Sequence, residues 1–237
     1  ISSTSSIGEN VSIGANVVVE NHVNIGDNVY IGSNTTIGRN SQIGIHSSIM
    51  SNVSIYHDVN IGSNVHIDSG TAIGADGFGL VTDKGIHHRI PHTGTVEIED
   101  YVAIGTNCCI DRGTINSTRI GEHSKLDNMI QVSHNAVIGK GCVIAGQSGV
   151  AGSSILGNYV TMGGQSGVVG HIEVGDNCVI ATNTLVTKRL ESGSFVSGSP
   201  AREHFKRRKQ EAVINQLPEL LKRVRVLEQK LDEIKKD

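Results

Sequence analysis

An aliphatic residue recurs every six positions along this chain, at Ile7, Ile13, Val19 and Ile25 and onward to Ile73 without a slip. After a gap the pattern returns at Ile98, Ile104 and Ile110, shifts register by four, and runs from Ile120, Leu126, Val132 and Ile138 to Ile180 and Val186. A period of six cannot keep one face of a 3.6-residue helix. Hexads of this kind are a signature of a β-helix. The unit is clearest as IGDNVY, residues 25 to 30. A β-branched residue at its first position and a small apolar one at its fifth suit short strands that turn these side chains into a stacked core. Glycine at the second position, with Asn or Asp nearby, is expected to supply the corner by tolerating positive φ. Three hexads close one triangular coil, so roughly nine to ten coils stack into a prism.

Composition agrees with a ladder. The chain has 29 glycines, no tryptophan and 3% aromatic residues, so its core is built from Ile and Val. No run of about 18 apolar residues is present, which argues against a membrane-spanning helix. Cys108, Cys142 and Cys178 fall at the fifth hexad position, where a free thiol serves as a small hydrophobe. Cys142 and Cys178 are two coils apart, about twice ~4.8 Å, too far to bridge. These cysteines favour a reducing compartment, and a cytoplasmic location is expected. The sequence opens at Ile1 already in repeat-like pattern, which suggests that an N-terminal piece is missing, and any targeting peptide with it.

Two segments depart from the prism expected over residues 1–200. Residues 74–94, GADGFGLVTDKGIHHRIPHTG, read as a loop excursion, the kind of place where a rigid solenoid meets ligands. Residues 201–237 read as a charged helical extension in which Leu220, Val224, Leu227, Leu231 and Ile234 alternate four and three apart, with Pro218 suited to a first helical turn. So short a seam is marginal alone and should pack against copies of itself or the prism. The extension carries 11 Lys and Arg against 7 Asp and Glu, while residues 1–200 carry 9 against 16. Its densest basic run, Lys206, Arg207, Arg208 and Lys209, reads either as a solvated helix face or as a dock for an acidic partner. Nucleic acid is disfavoured by the net charge of −3 and the lack of aromatic platforms.

His134 stands out within LDNMIQVSHNAVIG, residues 126 to 139. Val132 points inward in the hexad frame, which puts Ser133, His134 and Asn135 at a corner with the imidazole directed outward. Asp127 and Asn128 precede it by one coil face, and His171 follows by two coils and one position. The expectation is that a carboxylate, two imidazoles and an amide share one prism edge and can assemble a base, its orienting partner and a polar clamp.

These residues also carry a resemblance. DGFG (76–79), RIP (89–91), IDRG (110–113), the 126–139 stretch, AGSS (151–154), SGVVGHIEV (166–174) and SGSPAR (197–202) together resemble the UDP-3-O-acylglucosamine N-acyltransferases of lipid A synthesis. The resemblance implies an all-β solenoid, a left-handed parallel β-helix that forms a homotrimer with active sites between neighbouring prisms. The general crossover rule would give right-handed coils, so handedness rests on the resemblance. It further implies transfer of a 3-hydroxyacyl chain from the phosphopantetheine thioester of acyl carrier protein to the 2-amino group of a UDP-linked, 3-O-acylated glucosamine. No cofactor held by the chain itself and no metal is implied. By position, His134 matches the general base, Asp127 the carboxylate that orients it, Gly152 the oxyanion N–H, and His171 a second histidine near the thioester. Asn128 and Gln131 would line the cleft, Leu185 would gauge acyl length, and the 206–209 run would dock the acidic carrier protein. Family members also carry an N-terminal uracil-binding domain, which has no counterpart before Ile1, and His92 and Thr93 stand where members often have Gln and Ile.

Rival readings are a related transferase acting on another nucleotide-linked amino sugar, a zinc enzyme using the His87 and His92 pair, and a non-catalytic scaffold. The zinc reading requires three ligands to converge.

Overall fold

The computed structural model describes residues 1–198 and 204–234. The chain divides into two compact units, Ile1–Gly198 and Ser199–Asp237. The first is a left-handed parallel β-helix whose two-residue strands stack into three sheets of nine, ten and nine strands. We call these faces one, two and three, after their first strands Ser6–Ile7, Ser12–Ile13 and Val18–Val19. Each strand consists of the sixth residue of one hexad and the first of the next. The sixth points out and the first points in, which is why Thr36 is exposed and Ile37 buried. The inward residues form one continuous core of Ile and Val. Fifth-position residues complete it, and where these are hydroxylic they are satisfied by the neighbouring coil, as in Thr35 Oγ1 donating to Met50 O at 2.9 Å. Cys108, Cys142 and Cys178 are buried at this position and Cys109 is exposed, all four as free thiols. Burial pushes the Cys108 and Cys142 thiols up from their ordinary range.

The corners differ from the expectation in one respect. Positive φ falls on the fourth hexad residue, as at Asn16 (59°), Asn34 (60°) and Asn52 (61°). Asn tolerates this region best among non-glycine residues, and these three link coil to coil through amides at 3.1 and 3.3 Å. Glycine is needed at the second position for a different reason, the closeness of the next coil. A Cβ on Gly32 would lie 2.4 Å from Ser51 N.

The 74–94 excursion is more ordered than a loop. It contains an antiparallel hairpin, Leu80–Asp83 paired with Ile86–Arg89, turned at Lys84 and Gly85. Both turn residues have positive φ, 48° and 79°, which is the two-residue geometry that matches strand twist. All eight strand residues are exposed. Arg112, 1% exposed, anchors the base of the excursion. Its Nε donates to Gly74 O at 2.6 Å and its Nη1 to Gly94 O at 3.3 Å, holding both ends, while Nη2 donates to His57 O at 2.6 Å. Burial pulls the guanidinium below its ordinary range.

The second unit contains helices α1, His204–Ile214, and α2, Leu217–Ile234, with Pro218 in the first turn of α2. Leu220, Val224, Leu227 and Leu231 are exposed in the single chain. Lys206, Arg208 and Lys209 lie on α1. The side chains of Arg207 and Ile234, and residues 199–202 of the SGSPAR motif, lie outside the described residues. No described helix is long and apolar enough to cross a membrane.

Candidate active site

Stacking aligns equivalent hexad positions one coil apart. At the corner between faces three and one, the third position is His134, then Gly152, then Gly170 in successive coils. The half-buried His134 ring therefore lies against a glycine, and a Cβ on Gly152 would sit 2.7 Å from His134 Nε2. Asn135 fixes which ring nitrogen is engaged. Its Nδ2 donates to Ile115 O at 2.6 Å and its Oδ1 accepts from Thr114 N at 2.9 Å, so the oxygen is the atom facing His134 Nδ1 at 3.3 Å. Thr114 Oγ1 lies 3.4 Å from the same nitrogen, so Nδ1 is the engaged ring nitrogen and Nε2 the open one.

The same column explains an available N–H. Along the prism, third-position amides are capped by third-position side chains of the next coil: Glu9 N donates to Asp27 Oδ1, Thr106 N to Asn128 Oδ1 and Asn158 N to Asp176 Oδ1, each at 2.7 Å. Gly170 has no side chain with which to cap Gly152. The Gly152 N–H is left beside His134 Nε2, a donor and a base at one corner.

His171 shares this corner at the fourth position of the second coil beyond His134, exposed, its N–H donating to Gly152 O at 3.1 Å. Asp127 and Asn128 do not. They occupy the corner between faces two and three, after the strand Lys125–Leu126, whereas His134 follows the strand Gln131–Val132. Asp127 Oδ2 accepts from Gly146 N at 3.0 Å and its Oδ1 from Asn128 Nδ2 at 2.9 Å. This corrects the single-edge expectation: residues seven apart in a hexad solenoid land on adjacent corners, one face apart.

Three residues to which the sequence reading gave no part in acyl transfer, His92, Gly77 and Asp111, complete the surroundings of His134. His92 is buried with its Nδ1 donating to Ile90 O at 3.0 Å, and its ring meets that of His134 edge to face with centroids 5.3 Å apart. His92 Nε2 has no partner among the described residues, an arrangement that costs about 1–3 kcal/mol. Gly77 fits between the two rings, where a Cβ would lie 2.9 Å from His134 Cδ2 and 3.1 Å from His92 Nε2. Asp111, on face three, accepts from Gln131 Nε2 at 2.9 Å. Burial pushes its carboxyl up, opposed by Gln131 and by the fields of His134 and His92. The available signals were weak: Asp111 is one of several second-position residues that are not glycine, and His92 drew notice only as half of the zinc pair and as a departure from a family pattern.

Comparisons with known proteins place the repeat in a family. The bacterial transferase hexapeptide (six repeats) model matches residues 4–39, and the hexapeptide repeat of succinyl-transferase matches residues 154–188. UDP-3-O-acylglucosamine N-acyltransferase from Desulfotalea psychrophila is 43% identical over 162 residues, 68% of this chain and 47% of the relative. The enzyme of that name from Acidovorax sp. is 48% identical over 157 residues, 66% of this chain and 48% of the relative. Among solved structures, UDP-N-acetylglucosamine O-acyltransferase from Moraxella catarrhalis superposes with a TM-score of 0.71 at 32% identity, covering 79% of this chain and 72% of that one. The chain belongs to the hexapeptide-repeat acyltransferase family, in the group of the UDP-3-O-acylglucosamine N-acyltransferases. It spans about half the length of the curated relatives it matches.

The outward sixth positions of face three form a bare strip beside this corner. Successive coils present Gln131, Gly149, Gly167 and Leu185. The two glycines form a floor without side chains: a Cβ on Gly149 would meet nothing within 4 Å, and one on Gly167 would meet Leu185 Cδ1 at 3.3 Å. Leu185, 65% exposed, stands at the end of this floor, three coils or about 14 Å from Gln131. The histidines of the zinc reading are separated: His87 lies on the exposed hairpin, bonded to Thr82 Oγ1 at 2.9 Å, and His92 is buried beside His134.

Proposed function

We propose that the chain is the catalytic portion of an N-acyltransferase that moves a 3-hydroxyacyl group from acyl carrier protein to the 2-amino group of UDP-3-O-acylglucosamine, with His134 as general base. The observation that carries this reading is the pairing of a bare His134 Nε2 with an uncapped Gly152 N–H. The amine nitrogen forms a bond to the thioester carbonyl carbon as His134 Nε2 takes its proton. The carbonyl oxygen becomes an oxyanion, which the Gly152 N–H would receive. The C–S bond then breaks and the phosphopantetheine thiolate leaves, taking the proton from His134. A thiolate departs readily, so no covalent enzyme intermediate is needed. A positioned base contributes roughly 10²–10⁴-fold and an oxyanion donor on the order of 10²–10³.

The other assignments follow from their places on the prism. His171, exposed along the same corner, would contact the donor's pantetheine arm. Gln131 would line the cleft and Leu185 would stop the acyl chain at the end of the glycine floor. Asp127 and Asn128 sit one face away, so their part requires a homotrimer in which the 127–128 corner of one prism meets the 134 corner of its neighbour. The basic residues of α1 would dock the acidic carrier protein. Reversing the charges at Lys206, Arg207, Arg208 and Lys209 is expected to weaken carrier-protein binding and flatten its salt dependence; an unchanged salt slope would reject the docking role.

The test is N-acylation by the purified chain, supplied with 3-hydroxyacyl carrier protein and the UDP-linked amine. Amide product supports the assignment. No product from this chain or from a version extended by a uracil-binding domain would refute it. Gly152→Ala provides a geometric check, since its methyl would intrude 2.7 Å from His134 Nε2. Turnover is expected to fall by about 10²-fold, with the melting temperature little changed; a fully active alanine variant would contradict the placement of the oxyanion at this corner.

A further inference from the structure

We propose that Asp111 receives the acceptor's amino group and sets the preference for an amine over a hydroxyl, a role that rests on the acyl-transfer reading above. Asp111 stands at the second hexad position of face three, where the neighbouring coils carry Gly74 on one side and Ser133 on the other. The ladder is irregular at this point: the pairing of Ala72–Ala75 with Cys109–Asp111 slips register between Ile73 and Ala75. The irregularity turns a carboxylate outward on face three, in the cleft that adjoins the His134 corner. That cleft, about 490 Å³, is lined by Asp111 together with Asp76, Phe78, Leu80, Arg89, Gln131 and Ser133.

The hydrogen bonding of Asp111 leaves it in want of a cation. Its one side-chain donor is the neutral amide of Gln131, at 2.9 Å, and the two imidazoles whose fields reach it belong to His134 and His92. Arg89 is turned to Asp76, 3.7 Å away. The partly exposed carboxylate has one neutral side-chain donor, and its remaining acceptor positions face the cleft. The strongest available partner is an N–H donor with positive charge, because charge-assisted bonds are roughly twice as strong as neutral ones. An amino sugar supplies one as an ammonium, and a hydroxyl sugar does not. The balance is complete without another reactant: the ammonium gives one proton to His134 Nε2, the amine forms the N–C bond, the C–S bond breaks, and amide, thiol and one released proton result. Asp111 is not consumed. It holds the nitrogen between itself and the base.

The experiment compares Asp111→Asn with wild type in the full chain, using the UDP-linked amine and its 2-hydroxy isostere. Asn keeps a carbonyl for Gln131, so the fold should hold, and Asp111→Ser provides a second uncharged variant. The expected result is a KM for the amine raised at least 10-fold, a carrier-protein KM within twofold, and loss of the amine-over-hydroxyl preference. Wild-type KM and preference in both variants would overturn the proposal. Wild type that acylates the hydroxyl sugar in preference would overturn it too, while leaving acyl transfer standing. Wild type that acylates neither sugar, with or without an added uracil-binding domain, would remove the acyl-transfer reading itself, and this proposal with it.

Discussion

His134→Ala is expected to lower N-acyl transfer by at least 10²-fold while leaving the prism folded. The size follows from the chemistry. An ammonium has no lone pair for a thioester, so the reaction depends on a group that takes the proton as the bond forms. His134 Nε2 is the nitrogen left open for that proton, because Nδ1 faces Asn135 Oδ1 at 3.3 Å and Thr114 Oγ1 at 3.4 Å. The small effect on stability follows from the location: the inward neighbour Val132 is fully buried, whereas His134 is only half-buried and stands outside the Ile and Val ladder. Loss of its ring removes one edge contact with His92, a change expected to cost about 1 kcal/mol or less. The measurement is turnover together with the melting temperature. Near-normal turnover in a folded variant would remove His134 from the mechanism, and the non-catalytic reading would gain ground.

How much of this site can be read from the residues alone depends on which part of the repeat carries it. Val132 and Ile138 mark the strand positions unambiguously, because an inward residue every six is required by a triangular coil, and from them the corner placement of His134 follows. Alignment of Gly152 behind His134 also follows, since eighteen residues return the chain to the same point one coil on. The partnership with Asp127 misleads for the same reason. Seven residues carry the chain across a face, and only the relation between separate prisms could restore the contact. The excursion was hardest to read. Leu80–Asp83 and Ile86–Arg89 bury nothing in the core, so they lack the apolar alternation that announces a strand, and the Lys84–Gly85 turn was the one local cue. Arg112 and Asp111 occupy positions where the hexad breaks, and a broken repeat tells where a constraint was relaxed without telling what replaced it.

Arg112 carries the other large expected effect. Replacing it with methionine, similar in reach and apolar, should destabilise the protein by about 3–5 kcal/mol. Exchanging a buried charge for a hydrophobic residue is often harmless when its partners can be exchanged too. Here they are backbone carbonyls, Gly74 O, Gly94 O and His57 O, which persist in every variant. Each carbonyl left buried without a donor costs about 1–3 kcal/mol, and that loss outweighs the gain from no longer desolvating a guanidinium. Lysine should not rescue, because one ammonium cannot reproduce a planar fork that reaches three carbonyls. Repeat proteins couple mainly to nearest neighbours, so the loss should be concentrated where residues 74–94 join the prism. Hydrogen exchange should then rise at the hairpin and around His92 before it rises in the coils near either end. Activity should fall with it, since the excursion places Gly77 and His92 against the His134 ring. A methionine variant with the wild-type unfolding midpoint and an equally protected excursion would mean that the staple is dispensable and that the hairpin is held by other contacts.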